Sequence, residues 1–385
     1  MNINLDPNLI DEFRDKVNEK AIFYQHFMNI QNKNKWNLIC SAMDWITITV
    51  EGLPLINLKR NTIGAGYNAL QSLNLMQYVI AVDILVQSIV QLHRALYNTN
   101  TYPLDKDRGI FKQDEISDDI YFKHIRAIFG AHPVSLNSLN GKPTKQGERF
   151  FASWITEDLI DGNDFSVFIY SNNPDDNKDH SFGISIKDIN LYVEKRYNLL
   201  HNLMDRVDLI LSNHKEEYRK KLIMTNSNKF EQLKILHKEN IKRLGENEGY
   251  ASLISYIYRL LSVKINEDPS INTSFIEEYR NHLTSFIDTI KRNLQDMKYE
   301  HIPLQKEVRG YQFEKIISYI RTGKHPVGEV YFNNLIKIGI LPSYLLNCEN
   351  RIEKELIFDA ILHKAYKRNS RAIEYKELME IFLIK

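Results

Sequence analysis

Residues 68–97 of the chain read NALQSLNLMQYVIAVDILVQSIVQLHRALY, and this stretch decides the fold. Apolar side chains occupy nearly every side of the helix that this pattern predicts, which is typical of a helix buried in a bundle. Its most apolar window, Leu73 to Leu92, is long enough to cross a bilayer. Polar residues interrupt that window at Gln77, Asp83, Gln87, Ser88 and Gln91. We therefore predict a bundle helix, with no membrane span.

The composition favours long helices. The chain has only 15 Gly and 10 Pro in 385 residues, whereas average usage is about 7% and 5%. A chain so poor in turn-forming residues is not a sandwich of many short strands. Its hydrophobic content of 43% excludes a wholly disordered protein. The length predicts two domains.

Charge and cysteine content exclude several classes of protein. Fifty basic and 49 acidic residues give a net charge of +1, which argues against a histone-like nucleic-acid binder but not against a local basic groove. Cys40 and Cys348 provide neither a disulfide framework nor paired zinc ligands. The acidic first twenty residues do not resemble a signal peptide, so we expect a cytoplasmic protein.

The order of the predicted elements gives a mainly α protein with a small β insertion. Helical spacing over 6–31 and 36–50 precedes the bundle helix. Alternating apolar residues then predict short strands at 150–155, 165–170 and 182–186, within an insertion over about 148–187. A long helix follows over 187–222.

A polar stretch, Thr225 to Asn228, predicts the domain boundary, giving domains over 1–224 and 225–385. The second domain is expected to be all α. Its predicted helices cover 229–244, 247–264, 272–297, 309–322, 328–339, 350–367 and 373–384.

The most informative motif lies at residues 122–133, which read FKHIRAIFGAHP. Five residues separate Arg126 from His132. Gly130 and Pro133 predict that the helix ends before His132, which would let its side chain turn toward Arg126. An imidazole can transfer protons and a guanidinium can hold phosphate oxygens, so the pair suits phosphodiester chemistry. In the structural alternative, Arg126 pairs with an acid such as Asp118 or Asp119 and His132 caps the helix.

The spacing of Arg126 and His132 resembles that of the HEPN superfamily, whose ribonucleases carry Arg, four to six residues and then His on a helical bundle. The resemblance covers about residues 1–222. It implies a metal-independent endoribonuclease without a cofactor, active as a toxin or in anti-phage defence by abortive infection. It also implies a homodimer with the motif at the interface. Arg126 would stabilise the phosphate, and His132 would act as general base or acid.

A second class of function stays open, that of a non-catalytic helical adaptor or dimerisation protein. Ala127 favours it, because many active HEPN members have a polar residue directly after the Arg. The domain over 225–385 resembles no family; we expect it to bind an antitoxin or sensor partner.

Other patterns favour structural roles. His124 is expected to be structural or exposed. The segment Arg321–His325 predicts a turn between helices, with a phosphate-contacting loop as the alternative, and no convincing metal site is expected. The remaining patterns are a glycine-rich loop, an acidic loop and three basic clusters, for which the alternatives are phosphate contact, metal binding and binding of the RNA backbone, respectively. Their residues are Gly64–Gly66; Asp175, Asp176, Asp179 and His180; Arg219–Lys221; Lys238, Lys242 and Arg243; and Lys367, Arg368 and Arg371.

Overall fold

The computed structural model describes residues 3–58, 68–143, 147–154, 163–175, 180–266, 273–303, 308–369 and 373–383. The chain is mainly helical, as the sequence predicts. Its contacts divide it into two compact units, Met1–Ser212 and Asn213–Lys385. This division falls inside a helix, twelve positions before the boundary predicted from the polar stretch that begins at Thr225.

The first unit is a helical bundle around one long apolar helix. Its helices are α1 (Pro7–Asn18), α2 (Ala21–Met28), α3 (Trp36–Gly52), α4 (Ala69–Tyr97), α5 (Asp118–Arg126), α6 (Ile186–Tyr197) and the first part of α7 (Leu199–Lys220), which continues into the second unit after Ser212. The stretch over 6–31, predicted as one helix, forms α1 and α2. The β-branched end of α3 stays helical because Ile46, Thr49 and Val50 are buried in the core, where packing outweighs weak helix propensity.

Helix α4 lies at the centre of this bundle. Its buried side chains extend from Ser72 to Leu96 and contribute to one continuous core with α1, α3, α5 and α6. Two stretches, Trp36–Leu55 and Ala69–Tyr97, are long and apolar enough to cross a membrane by length and composition alone. Core helices of soluble proteins meet the same criterion, and 39% and 44% of the respective apolar windows are buried in this fold.

The insertion after α5 forms a small sheet, as the alternating pattern predicts. Strands β3 (Phe150–Trp154), β4 (Phe165–Ser171) and β5 (His180–Ile184) pair antiparallel in that order. A separate hairpin, β1 (Ser138–Leu139) and β2 (Lys142–Pro143), precedes them. It turns through Asn140 and Gly141, which both have positive φ, the conformation that a tight hairpin turn requires.

The second unit is also helical. Its helices are α8 (Lys229–Leu244), α9 (Ala251–Ser262), α10 (Ser274–Gln295), α11 (Tyr311–Thr322), α12 (Pro326–Lys337), α13 (Arg351–Asn369) and α14 (Tyr375–Leu383). All overlap the predicted helices. The unit is not purely α, however, because β6 (Val308–Arg309) pairs parallel with β7 (Ile373–Glu374). The sequence did not predict these two strands, because a strand of two residues is too short to show an alternating apolar pattern.

Candidate functional site

Arg126, the last residue of α5, is held by an acid on α4. Its Nη1 donates a hydrogen bond to Oδ2 of Asp83 at 3.0 Å, and the side chains are 35% and 16% exposed. Asp83 is one of the polar residues that interrupt the apolar window of α4. The acids considered for Arg126 from the sequence have other partners: Asp118 accepts from backbone N–H groups, and Asp119 pairs with the buried Arg196.

The α-helix changes into a π-helical turn over Ala127–Ala131, directly after Arg126. The His132 N–H donates to the Ala127 carbonyl at 2.9 Å and closes this turn. A Cβ atom at Gly130 would lie 3.0 Å from Cδ1 of Ile80 on α4, so a larger residue here would need the Ile80 side chain to shift. Single π turns within α-helices are frequently found at functional sites.

His132 follows the π turn and leaves helical geometry, with φ −139° and ψ 43°. The residue is exposed to solvent. The loop beyond it is fixed by strand β3: Ala152 N–H donates to the Pro133 carbonyl at 2.7 Å. Leu136 and Phe150 exchange two further backbone hydrogen bonds, at 2.8 and 3.0 Å. The β insertion, for which the motif gives no reason, therefore supports the loop that carries His132.

The sheet also packs against the motif helix through aromatic side chains. Phe182 of β5 lies edge-on to His124, with ring centroids 5.1 Å apart, and Trp154 of β3 contacts Phe129 at 5.6 Å. His124 Nδ1 is 3.0 Å from Oγ of Ser138. Burial lowers the pKa of His124 to about 4. His124 is thus a neutral core residue and lies outside the candidate site.

Among the described residues, no hydrogen bond joins Arg126 to His132. The contacts of Arg126 and Gly130 place both on the side of the motif helix that faces α4, whereas His132 is exposed. The chain therefore presents a fixed guanidinium and a solvent-accessible imidazole as separate groups. Together they offer charge stabilisation and proton transfer. The sequence analysis did not identify Asp83 as part of the site. The one feature that could have indicated it is a single carboxylate in an otherwise apolar helix.

An apolar groove of about 420 Å³ runs beside the π turn. Gly130, Ile80 and Met76 form part of its wall together with Trp45 and Ile48 of α3. Trp45 and Ile48 of this wall are exposed. Exposed apolar surface in a groove is typical of a binding site for a partner.

Among the residues that the structure describes, no cluster of three or more potential metal ligands occurs. The glycine-rich segment 64–66, Asp176, Asp179 and Arg371 lie outside the described residues. Arg243, taken from the sequence as part of a basic cluster, is 1% exposed and hydrogen-bonds backbone carbonyls. It is therefore structural and not available to RNA.

No protein-family model, curated protein or solved structure matches this chain.

Proposed function

We propose that this protein is a metal-independent endoribonuclease whose site comprises Arg126 and His132. One observation carries the proposal: the Arg126 guanidinium is fixed by Asp83, and an exposed His132 follows it at the end of a π turn. The same two residues provide the resemblance to HEPN ribonucleases. That resemblance further favours a role as a cytoplasmic toxin or in anti-phage defence.

The proposed reaction needs only groups of the protein and the RNA. The ribose 2′-hydroxyl attacks the adjacent phosphorus while the bond to the 5′ oxygen breaks, leaving a 2′,3′-cyclic phosphate. His132 accepts the hydroxyl proton as general base or protonates the leaving oxygen as general acid. Arg126 stabilises the negative charge that develops on the nonbridging oxygens. Asp83 engages Nη1 of Arg126 and orients the guanidinium.

A homodimer would complete this site. One Arg and one His are few groups for a reaction that needs a base, an acid and charge stabilisation. A two-fold axis near the apolar groove would bring two copies of the motif together, because Gly130 lies both in the motif and in the wall of the groove. We propose that a second copy of the chain covers the groove. The second unit would bind an antitoxin or sensor partner.

The groove also favours the second candidate function, a non-catalytic adaptor that uses this face to bind protein. In that case the ion pair of Arg126 with Asp83 is a structural link between α4 and α5. Ala127, in place of the polar residue found in many active HEPN proteins, agrees with this alternative.

The deciding experiment is incubation of the purified protein with tRNA, rRNA and mRNA in EDTA, with the His132→Ala protein as the control. We expect cleavage by the wild type, products ending in 2′,3′-cyclic phosphate, and no cleavage by the variant. A strict Mg²⁺ requirement, or equal cleavage by both proteins, would overturn the mechanism. A dimer that cleaves none of the RNAs favours the adaptor.

A further inference from the structure

The second unit contains a pocket of about 690 Å³. This volume lies in the range of about 300–1,000 Å³ that small-molecule sites occupy. The side chains relevant to binding are Arg259, Arg321, Arg351, His301, Tyr256 and Tyr299. Tyr250 also lines the pocket, so three guanidiniums and three phenol rings share one concavity. This combination indicates a ligand that carries both negative charge and a flat ring.

Two of the three guanidiniums in this pocket carry uncompensated charge. Arg259 pairs with Glu355 at 2.7 Å. Neither Arg321 nor Arg351 has a carboxylate partner within the described part of the chain, and both are exposed. A pocket with an excess of one sign of charge concentrates ligands of the opposite sign. The excess of about two positive charges matches a phosphate monoester, which carries about −1.5 to −2 at neutral pH.

The backbone at the end of helix α11 explains why Arg321 and Arg351 lie together. Helix α11 ends at Thr322, and Gly323 takes the left-handed conformation that ends the helix, with φ 71°. Arg351, at the start of α13, donates from Nη1 to the Arg321 carbonyl at 2.8 Å. This bond fixes the Arg351 side chain at the end of α11, where Arg321 projects from the last turn.

His325 takes no part in the pocket. Its Nδ1 accepts a hydrogen bond from Gly328 N–H at 3.1 Å and so caps α12. The segment Arg321–His325 is therefore a turn between helices, as the sequence favours. Its one contribution to a phosphate site is Arg321.

The aromatic residues give the pocket a surface for a planar group. Tyr299 is 61% exposed, and its ring packs against the buried Tyr250 with centroids 5.2 Å apart. A phenol ring that packs against a neighbouring ring and stays largely exposed can stack on a nucleobase.

We propose that this pocket binds a nucleoside phosphate, with Arg321 and Arg351 on the phosphate and Tyr299 stacked on the base. The same chemistry is present in a free nucleotide and in the phosphorylated end of an RNA strand. This site is separate from Arg126 and His132, and its occupancy does not depend on whether the protein cleaves RNA.

Isothermal titration calorimetry on the full-length protein tests the proposal with two sets of probes. The first compares the four ribonucleoside 5′-monophosphates with the corresponding nucleosides and with inorganic phosphate. The second compares a short RNA bearing a 5′-phosphate with the same RNA bearing a 5′-hydroxyl. We expect at least one nucleotide to bind at least about tenfold more tightly than its nucleoside and than phosphate alone. Preference for the phosphorylated RNA over the free nucleotides would identify an RNA end as the source.

Arg321→Ala and Tyr299→Ala are the informative variants, and Arg292→Ala is the matched control. Arg292 is an exposed arginine of α10 that does not line the pocket. Arg351 binds the backbone carbonyl of Arg321, so the Arg321 side chain can be removed without loss of this hydrogen bond. We expect each pocket variant to weaken nucleotide binding at least about fivefold at unchanged thermal stability, and Arg292→Ala to bind like the wild type. Absence of binding at millimolar nucleotide, or equal binding by Arg321→Ala and the wild type, would overturn the assignment.

Discussion

Arg126 Nη1 and Asp83 Oδ2 lie 3.0 Å apart, joining the end of the motif helix α5 to the middle of the bundle helix α4. Forty-three positions separate the two residues in sequence. This ion pair holds the Arg126 guanidinium in place at the start of the turn that leads to His132. The guanidinium of an isolated surface arginine would rotate freely. Since α4 also borders the apolar groove, the ion pair links the candidate site to the proposed dimer surface.

The Asp83→Asn substitution tests this ion pair. Asparagine has about the same size as aspartate and keeps one acceptor oxygen, but it lacks the negative charge that orients Arg126. We expect RNA cleavage to fall by about tenfold, which corresponds to about 1.4 kcal/mol of transition-state stabilisation. Because positioning matters most in the transition state, kcat should fall more than KM rises.

The control for Asp83→Asn is Arg126→Ala, for which we expect no measurable cleavage by a folded protein. A variant Asp83→Asn with wild-type kcat and KM would show that the ion pair does not position Arg126. A rise in KM alone would indicate a role in RNA binding instead.

The apolar groove predicts the oligomeric state. Ile48 of α3 is 58% exposed at the groove, and a carboxylate there would be buried without a partner in a dimer. We expect light scattering to give about twice the chain mass of 45.3 kDa for the wild type and the monomer mass for Ile48→Glu. Cleavage should be lost with the dimer.

Leu191→Glu on α6 is the matched control for this test, since Leu191 is 42% exposed and does not line the groove. It should remain dimeric. Wild-type protein that cleaves RNA as a monomer at every concentration would exclude a composite site.

We expect the buried His124 to make the folded protein less stable in acid. Its pKa is about 4 in the fold, lowered by burial from the ordinary 6.5. The unfolded chain therefore binds the proton first as pH falls, so this contribution to stability is complete above pH 6.5 and declines toward pH 4. The full loss is about 3 kcal/mol at 1.36 kcal/mol per pKa unit.

This loss is measured by urea unfolding of the wild type and His124→Gln between pH 7 and pH 4.5, following the transition of the first unit. The variant should lose less stability on acidification than the wild type. Parallel pH profiles for the two proteins would mean that His124 is not a buried neutral imidazole.

Arg243 and Lys242 predict contrasting effects in the second unit, although both contact Glu239. The Arg243 side chain is fully buried and donates to the carbonyls of Tyr218 and Lys221 at 2.6 Å each. Arg243→Met removes the buried donor that both carbonyls and Glu239 share, so we expect the free energy of unfolding to fall by about 3 kcal/mol or more.

Lys242 is 56% exposed, and Lys242→Ala should change stability by less than about 1 kcal/mol. Urea denaturation of both variants gives the comparison. Equal stability of the two would contradict the buried carbonyl contacts of Arg243.

Local sequence patterns determined where helices and strands form along the chain. The period of apolar residues and the positions of Gly and Pro are properties of neighbouring residues, so they predicted the bundle helix α4, the helices of the second unit and the three-stranded insertion. The same patterns predicted that the helix carrying Arg126 ends before His132, because Gly130 and Pro133 act on adjacent backbone.

Tertiary packing decided what surrounds those residues. The pairing of Arg126 with Asp83, the burial of His124 under Phe182 and the hydrogen bond from Ala152 to the Pro133 carbonyl all join residues distant in sequence. The pocket arginines likewise come from separate helices. Neither periodicity nor composition contains this information, because a side chain's partner depends on how the elements pack, and that is fixed only when the whole core forms.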